Sequence, residues 1–404
     1  MWIPYPESAI SYYITATASG ESNCLFSIIG TLIFWKYETR RSDQSALISR
    51  PRLKKPGKAK NSLVDVKKSE RSMTKAVTRY QFAMAFPTLA EQIGVEEVGL
   101  DEFISICLPF RIANSAPIAY GGCAMSVAVT AAVRTVKPAY HPYSVLGYFL
   151  GPARTDLKLK CRVRRLRDTR TFATRQVEVF QTLKTGESRL CLTLTADFQV
   201  KEASMYEYSV PPVLRYRHSS ECPTQDENAE SLVEQGYMTS KRANEFVNMF
   251  RPMRTFFESR FSPEGVAAQT LNGYAKSAPS TQDHLPLTSR TSGDWFRVRE
   301  PLSKDDQLAG LAFWIDGGLS FVTLIHDHKY IEDVGACSTL DFAIRIFDND
   351  LDINNWHLRE RVTLSGSLGR TYSEARLWNS QGKLVASMTQ QCIMRPKEVP
   401  KSEL

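Results

Sequence analysis

The strongest constraint on what this chain can fold into is an order of elements that occurs twice. Residues 122–136 (GCAMSVAVTAAVRTV) are dense in Ala, Val and Met and are bounded by Gly121-Gly122 and Pro138, which predicts one well-buried helix. Strands follow it. Leu157, Leu159, Cys161 and Val163 alternate with Lys158, Lys160, Arg162 and Arg164; Val177 and Val179 come next; then Leu190, Leu192, Leu194, Ala196 and Phe198 alternate with polar neighbours. The second round predicts strands at 256–261 and 295–299 and a helical stretch over 305–324. Further strands are predicted at 340–347, 356–362, 371–378 and 383–394. Short sequences echo each other at matching places. Arg170-Thr171-Phe172 leads through a turn at Gly186 to a strand ending near Gln199, and Arg370-Thr371-Tyr372 leads through a turn at Gly382 to one ending near Gln390. The pattern implies an internal duplication of an α+β unit, an antiparallel sheet that covers one long helix.

A length of 404 residues agrees with two such domains. The expected boundaries are 84–212 and 253–396, joined by a connector over 213–252 and followed by a tail at 397–404. The connector follows Pro211-Pro212 and carries a polar, acidic, helix-like segment, while a Ser/Thr/Pro/Asp-rich stretch over 263–293 reads as a surface loop. Residues 1–83 read as a basic, disordered appendage.

The net charge of +8 suggests nucleic acid only until its location is examined. Between Lys36 and Arg79 there are 14 Lys and Arg against Glu38, Asp43, Asp65 and Glu70, a local +10 that leaves about −2 for everything else. A basic appendage is not a basic groove, so no nucleic-acid partner is expected. The eight cysteines form no Cys-x-x-Cys pair, which argues against a structural zinc or a redox dithiol and for reduced core thiols in an intracellular protein. The apolar run 24–35 is too short for a membrane span, which takes about 20 residues.

With these stretches in view, the chain resembles the acyl-CoA thioesterase II family. In the first half the similar residues are Tyr120-Gly121-Gly122, Tyr148-Phe149-Leu150-Gly151-Pro152, Leu166-Arg167-Asp168, 171–175 (TFATR) and 195–199 (TADFQ). In the second they are Trp314-Ile315-Asp316, Ser338-Thr339-Leu340-Asp341, 382–387 (GKLVAS), Gln390 and Met394-Arg395. Their order and spacing carry the likeness, and it extends to filamentous-fungal members. The resemblance implies two fused hotdog domains, a double hotdog, hydrolysing acyl-CoA with no cofactor and no metal. It is compatible with a homo-oligomer, with a carrier-bound acyl thioester as substrate, and with fatty acid turnover or secondary-metabolite biosynthesis.

The family's catalytic trio falls on Asp316, Thr339 and Gln390. A thioester is an activated acyl group, so a carboxylate that takes a proton from water can suffice. Thr and Gln each offer a donor and an acceptor to hold that water and the carboxylate in line. For the developing oxyanion, backbone N–H groups at Gly317-Gly318 after the aspartate, and at Gly121-Gly122 entering the first helix, are the expected donors. Read singly, each residue has an ordinary alternative: an Asp before Gly-Gly is a common turn or cap, and a Thr and a Gln on strands are common ladder groups. One departure concerns Tyr143, Ser144, Val145 and Leu146, where a histidine is expected before Tyr148; it bears on substrate preference.

Rival signals are weaker. Residues 365–369 (SGSLG) do not fit Gly-x-Ser-x-Gly and lie between strands, so they read as a loop. His326-Asp327-His328 lacks further ligands at metal spacing and reads as a solvated loop. A hotdog hydratase or dehydratase resembles an Asp followed five residues on by a His, and that place holds Phe321. A non-catalytic acyl-thioester-binding protein is the third reading, against which the intact trio stands. The terminal Ser402-Glu403-Leu404 half resembles a peroxisomal tripeptide, leaving cytoplasm and peroxisome both open.

Overall fold

The structure, a computed structural model, describes residues 87–113 and 116–397. The expected appendage, the apolar run 24–35 and the terminal tripeptide lie outside the described residues. The first half contributes α1 (Leu89–Ile93), the hairpin β1 (Val95–Gly99) and β2 (Glu102–Ser105), then α2 (Gly121–Val133), β3 (Tyr140–Phe149), β4 (Lys160–Asp168), β5 (Phe172–Thr182) and β6 (Ser188–Val200). After two connector helices, α3 (Gln225–Glu234) and α4 (Ser240–Met249), the second half runs α5 (Arg251–Phe256), β7 (Phe257–Phe261), α6 (Val266–Gln269) and β8 (Ser292–Val298). It continues with α7 (Gln307–Ile315), α8 (Val322–His326), β9 (Val334–Ile346), β10 (His357–Ser367), β11 (Arg370–Asn379) and β12 (Leu384–Pro396).

The twelve strands of the described residues form one antiparallel sheet in the order β1-β2-β4-β5-β6-β3-β9-β12-β11-β10-β8-β7. Its centre is the β3–β9 pair, running from Ser144 opposite Arg345 to Tyr148 opposite Asp341. From that seam each half reads outward in the same way: the strand after the helix, then the three strands of a meander in reverse, then an outer antiparallel pair, β2–β1 in the first half and β8–β7 in the second. The duplication in the sequence is thus a two-fold relation in space. The strand's alternation has the expected cause from Leu192 on, since Leu192, Leu194, Ala196 and Phe198 of β6 turn to the core while Thr193, Thr195 and Asp197 between them are only part-buried.

The helices α2 and α7 lie side by side against this sheet. Small residues permit it. Every residue of α2 from Gly122 to Ala132 is buried, so the helix has no solvent face and needs none of the amphipathic spacing of a surface helix. A Cβ on Gly122 would come within 2.6 Å of the Phe313 carbonyl of α7, closer than any real Cβ approaches. Where the halves meet, the Phe313 ring packs 5.9 Å from Phe110 and 5.4 Å from Tyr120 of the first half. It lies 5.7 Å from Phe256 and 6.1 Å from Phe257 of the second.

Four expectations need correction. The helical stretch 305–324 is broken: α7 stops at Ile315, Asp316 caps it, and Gly318 turns the chain at a φ of 80° before α8. The segment 263–293 is not a surface loop, because Val266, Ala267, Ala268, Leu271, Tyr274, Ala275 and Ala278 are buried and several pack with Leu232 and Phe246 of α3 and α4. Its polar residues are bonded inward, Gln282 donating to the Glu264 and Thr291 carbonyls, so a polar composition concealed a packed element. His326 is fully buried at the end of α8 and pairs with the Ser292 hydroxyl at 2.9 Å, while His328 bonds Asp283 at 2.6 Å. The apolar run before His326 carries it into the core. Of residues 365–369, expected as a loop, Ser365, Gly366 and Ser367 end β10 and pair with β11, and only Leu368 and Gly369, both at positive φ, form the hairpin turn.

Because Phe313 joins ring contacts from both halves at zero exposure, Phe313→Ala should destabilise the protein by about 3–5 kcal/mol, read from chemical denaturation. A loss below about 1 kcal/mol would mean the halves do not depend on this packing.

Candidate active site

Asp316 occupies the C-terminal cap of α7, and the antiparallel packing of the helices sets its side chain against the N-terminus of α2. The carboxylate is almost wholly buried. Gln390, on the inner face of β12 and fully buried, donates from Nε2 to Asp316 Oδ1 at 2.5 Å. The Gly122 N–H donates to the same carboxylate from the first half of the chain. A Cβ on Gly121 would stand 2.8 Å from Asp316 Oδ2 and 3.0 Å from the Phe149 ring, so only glycine leaves room there. The site is therefore composite. One half supplies the carboxylate and the other supplies an amide from a helix N-terminus, whose dipole favours negative charge.

Burial dominates the electrostatics. Loss of water pushes the Asp316 carboxyl up from 3.8 to about 6, against the opposing pull of the Gln390 bond, the Gly122 N–H and the Arg359 guanidinium. Burial also pushes up the neighbouring thiols, Cys123 to about 12 and Cys337 to about 11, with Cys392 shifted in the same direction. All three remain thiols at neutral pH and are poor nucleophiles.

Thr339 lies on β9, half-buried, one row from Gln390. The β12–β9 register slips by one residue between Gln391, opposite Asp341, and Cys392, opposite Thr339, a bulge that keeps Thr339 and Gln390 on one face. The Thr339 hydroxyl bonds the Cys392 thiol. Two further inward hydroxyls, Ser373 opposite Gln390 and Thr371 opposite Cys392, are buried without a protein partner.

The glycines divide. Gly121 and Gly122 open α2 and lie beside the Asp316 carboxylate, where the Gly122 N–H already serves Asp316. Gly317 and Gly318 do not form an N–H donor pair, because they follow the C-terminal end of α7, where carbonyls point outward. The Gly317 N–H is bonded to the Trp314 carbonyl, its own carbonyl accepts from Arg359 at 2.8 Å, and a Cβ on Gly318 would fall 2.4 Å from Arg361 Nη1. Of the residues standing in place of the expected histidine, Tyr143 packs on Phe172 with ring centroids 6.3 Å apart and Ser144 accepts from Arg345.

Several residues at the site were given no role from the sequence, although Tyr120 and Phe149 lie in stretches that carry the resemblance. Tyr120 donates to the Phe313 carbonyl at 2.6 Å and pins the two helices together. Phe149 and Phe342 meet across the central seam at 5.7 Å and give the site an apolar wall. Arg359 was hidden because a strand arginine usually faces solvent. Among the described residues the first half does not repeat the site: the cap of α2 matching Asp316 is Arg134, and the position matching Gln390, opposite Ala173 as Gln390 is opposite Ser373, is Phe198.

One sheet carrying two antiparallel helices from a repeated unit is the double-hotdog architecture. The fold is shared with the acyl-CoA thioesterase II of Mycobacterium marinum, with a TM-score of 0.55 and 20% identity over 76% of this chain and 98% of that one. It is shared equally with a hotdog-fold protein of Alicyclobacillus acidocaldarius, with a TM-score of 0.55 and 15% identity over 76% and 98%. The family model for the acyl-CoA thioesterase N-terminal domain matches residues 111–199, and that for the acyl-CoA thioesterase C-terminal domain matches 243–394, together more than half of the chain. Acyl-CoA thioesterase 2 of Haemophilus influenzae is 24% identical over 283 residues, covering 69% of this chain and 88% of that protein. The chain belongs to the acyl-CoA thioesterase II family, a family of acyl-CoA thioester hydrolases. Among the described residues no helix is long and apolar enough to cross a membrane, and no cluster of metal-ligating side chains occurs.

The raised Asp316 carboxyl makes folding pH-dependent. Because its folded value of about 6 lies above the ordinary 3.8, the ionised form costs stability, fully above about pH 6 and not at all below about pH 4. Asp316→Asn should therefore be more stable than the wild type at pH 8, by up to roughly 3 kcal/mol, with the gap closing towards pH 4 in urea denaturation. A gap independent of pH would contradict a desolvated carboxylate.

Proposed function

We propose that this chain hydrolyses acyl-CoA by direct attack of water, with Asp316 as general base. The ionised carboxylate takes a proton from water as the oxygen attacks the thioester carbonyl carbon. The tetrahedral intermediate then expels the CoA thiolate, which recovers the proton, leaving free acid and CoA. Gln390 holds Asp316 Oδ1 and keeps the other oxygen directed at the water, and the Thr339 hydroxyl orients that water. The Gly121 N–H, in the first turn of α2, faces the developing oxyanion, where a preorganised donor is worth most in a site without solvent. Phe149 and Phe342 give the acyl carbons an apolar surface.

The observation that carries this reading is a buried carboxylate whose pKa of about 6 leaves it ionised yet basic at neutral pH, within reach of no imidazole and surrounded by protonated thiols. The only buried imidazole on α8, His326, is pushed down to about 3 by burial and is bonded to Ser292. That lack of a partner acid also weighs against double-bond hydration. We take 84–212 and 253–396 as the two hotdog domains, with the second supplying the trio and the first the helix N-terminus.

In a thiol-release assay across a panel of acyl-CoA chain lengths, Asp316→Asn should fold and lose about 100-fold or more of kcat, since an amide keeps the shape but takes no proton. Turnover near the wild-type rate in the purified variant would remove Asp316 from the role of base.

A further inference from the structure

The turn that bears Asp316 rests on a buried charge cluster that direct water attack does not by itself require. On β10, Arg359 and Arg361 both face inward, opposite Asp294 and Ser292 of β8. A single carboxylate serves both guanidiniums. Arg359 Nη2 lies 3.1 Å from each Asp294 oxygen, and Arg361 Nη2 lies 3.2 Å from Oδ1. None of the three is more than 5% exposed. The remaining arm of Arg359 is spent elsewhere: Nη1 donates to the Trp314 carbonyl at 3.2 Å and to the Gly317 carbonyl at 2.8 Å, the residues two before and one after Asp316. Its plane sits over the Trp314 ring, 5.0 Å from the centroid.

Two buried cations on one anion are costly unless another negative charge lies near. Ionised Asp316 is that charge, which makes the sequence Arg361, Asp294, Arg359, Asp316 alternate in sign. We propose that Arg359, oriented by Asp294, is the positioning residue of the site: it fixes the carbonyls flanking Asp316 and favours the ionised carboxylate. The inference rests on Asp316 being the base. The other groups that act on Asp316 are neutral at pH 7. On β12 these are Gln390 and the Cys392 thiol, and on the first-half side the Gly122 N–H, the Cys123 thiol and the Tyr120 phenol, the last raised well above its usual value by burial. Arg359 is the cation among them.

The test is the pH profile of kcat/KM for full-length Arg359→Gln and Arg359→Lys, using an acyl-CoA that the wild type turns over. Loss of Arg359 leaves Arg361 and Asp294 as a one-to-one pair, so the fold has a balanced cluster to retain. Arg359→Gln should move the acid limb upward by about one pH unit or more and lower kcat at least tenfold. Arg359→Lys should restore the limb, because the charge returns, without restoring kcat, because an ammonium lacks the planar fork that spans Asp294 and two carbonyls. An unshifted limb in Arg359→Gln, or wild-type kcat in Arg359→Lys, would overturn the proposal; the lysine variant decides the matter if the glutamine variant does not fold. Should Asp316→Asn keep its activity, the general-base reading itself fails; if Asp316→Asn is inactive while the Arg359 limb stays in place, only the positioning role fails.

Discussion

The Asp316 carboxylate accepts a hydrogen bond from Gln390 of its own half and another from the Gly122 N–H of the opposite half. That pairing exists only because α2 and α7 lie antiparallel and close, which in turn needs glycine at 121 and 122 and small residues along α2. The sheet contributes by continuity. Since β3 and β9 join the two units edge to edge, the end of one helix is fixed against the start of the other, and a cap residue of the second unit completes the first turn of its partner.

Under the proposed role for Asp316, such an arrangement trades stability for reactivity. A carboxylate in water would be ionised at no cost and would be a weak base. Taken into the interior and held by two donors and a cation, it is held near 6, where ionisation and basicity are both available at neutral pH. The thiols nearby undergo the same desolvation: burial keeps them protonated, so the environment that raises the Asp316 carboxyl also leaves the cysteines poor nucleophiles.

Much of this was legible in the sequence, for identifiable reasons. The duplication, the buried helix (expected over 122–136, found as Gly121–Val133) and the meander strands show because period-two alternation and small-residue density are local signals. The strands were found shorter than they are, β9 beginning at Val334 and not at Leu340, since Ser338, Thr339 and Asp341 blur the alternation at the bulge. The hairpin β1–β2 was missed because Glu96 and Glu97 are exposed and leave no alternation to read. The segment 263–293 was misread because its burial depends on hydrogen bonds between residues nine and eighteen apart, such as those of Gln282. At the site, family resemblance singled out Asp316, Thr339 and Gln390, but no local pattern could show that α7 ends at Asp316, which inverts the expected role of Gly317 and Gly318. Nor could it show Arg359, whose significance lies in contacts 42 and 65 residues away in sequence.

The central claim is that water attacks the thioester directly while Asp316 only moves a proton. Hydrolysis in oxygen-18 water under single-turnover conditions, followed by mass analysis of both the released acid and the peptide that contains Asp316, separates this from a covalent route. Direct attack by water predicts one oxygen-18 atom in the acid and an unlabelled Asp316 peptide, with no acyl adduct on Asp316, Thr339, Cys337 or Cys392 in quenched enzyme. An oxygen-18 label in Asp316, or an acyl mass on any of those four residues, would contradict it.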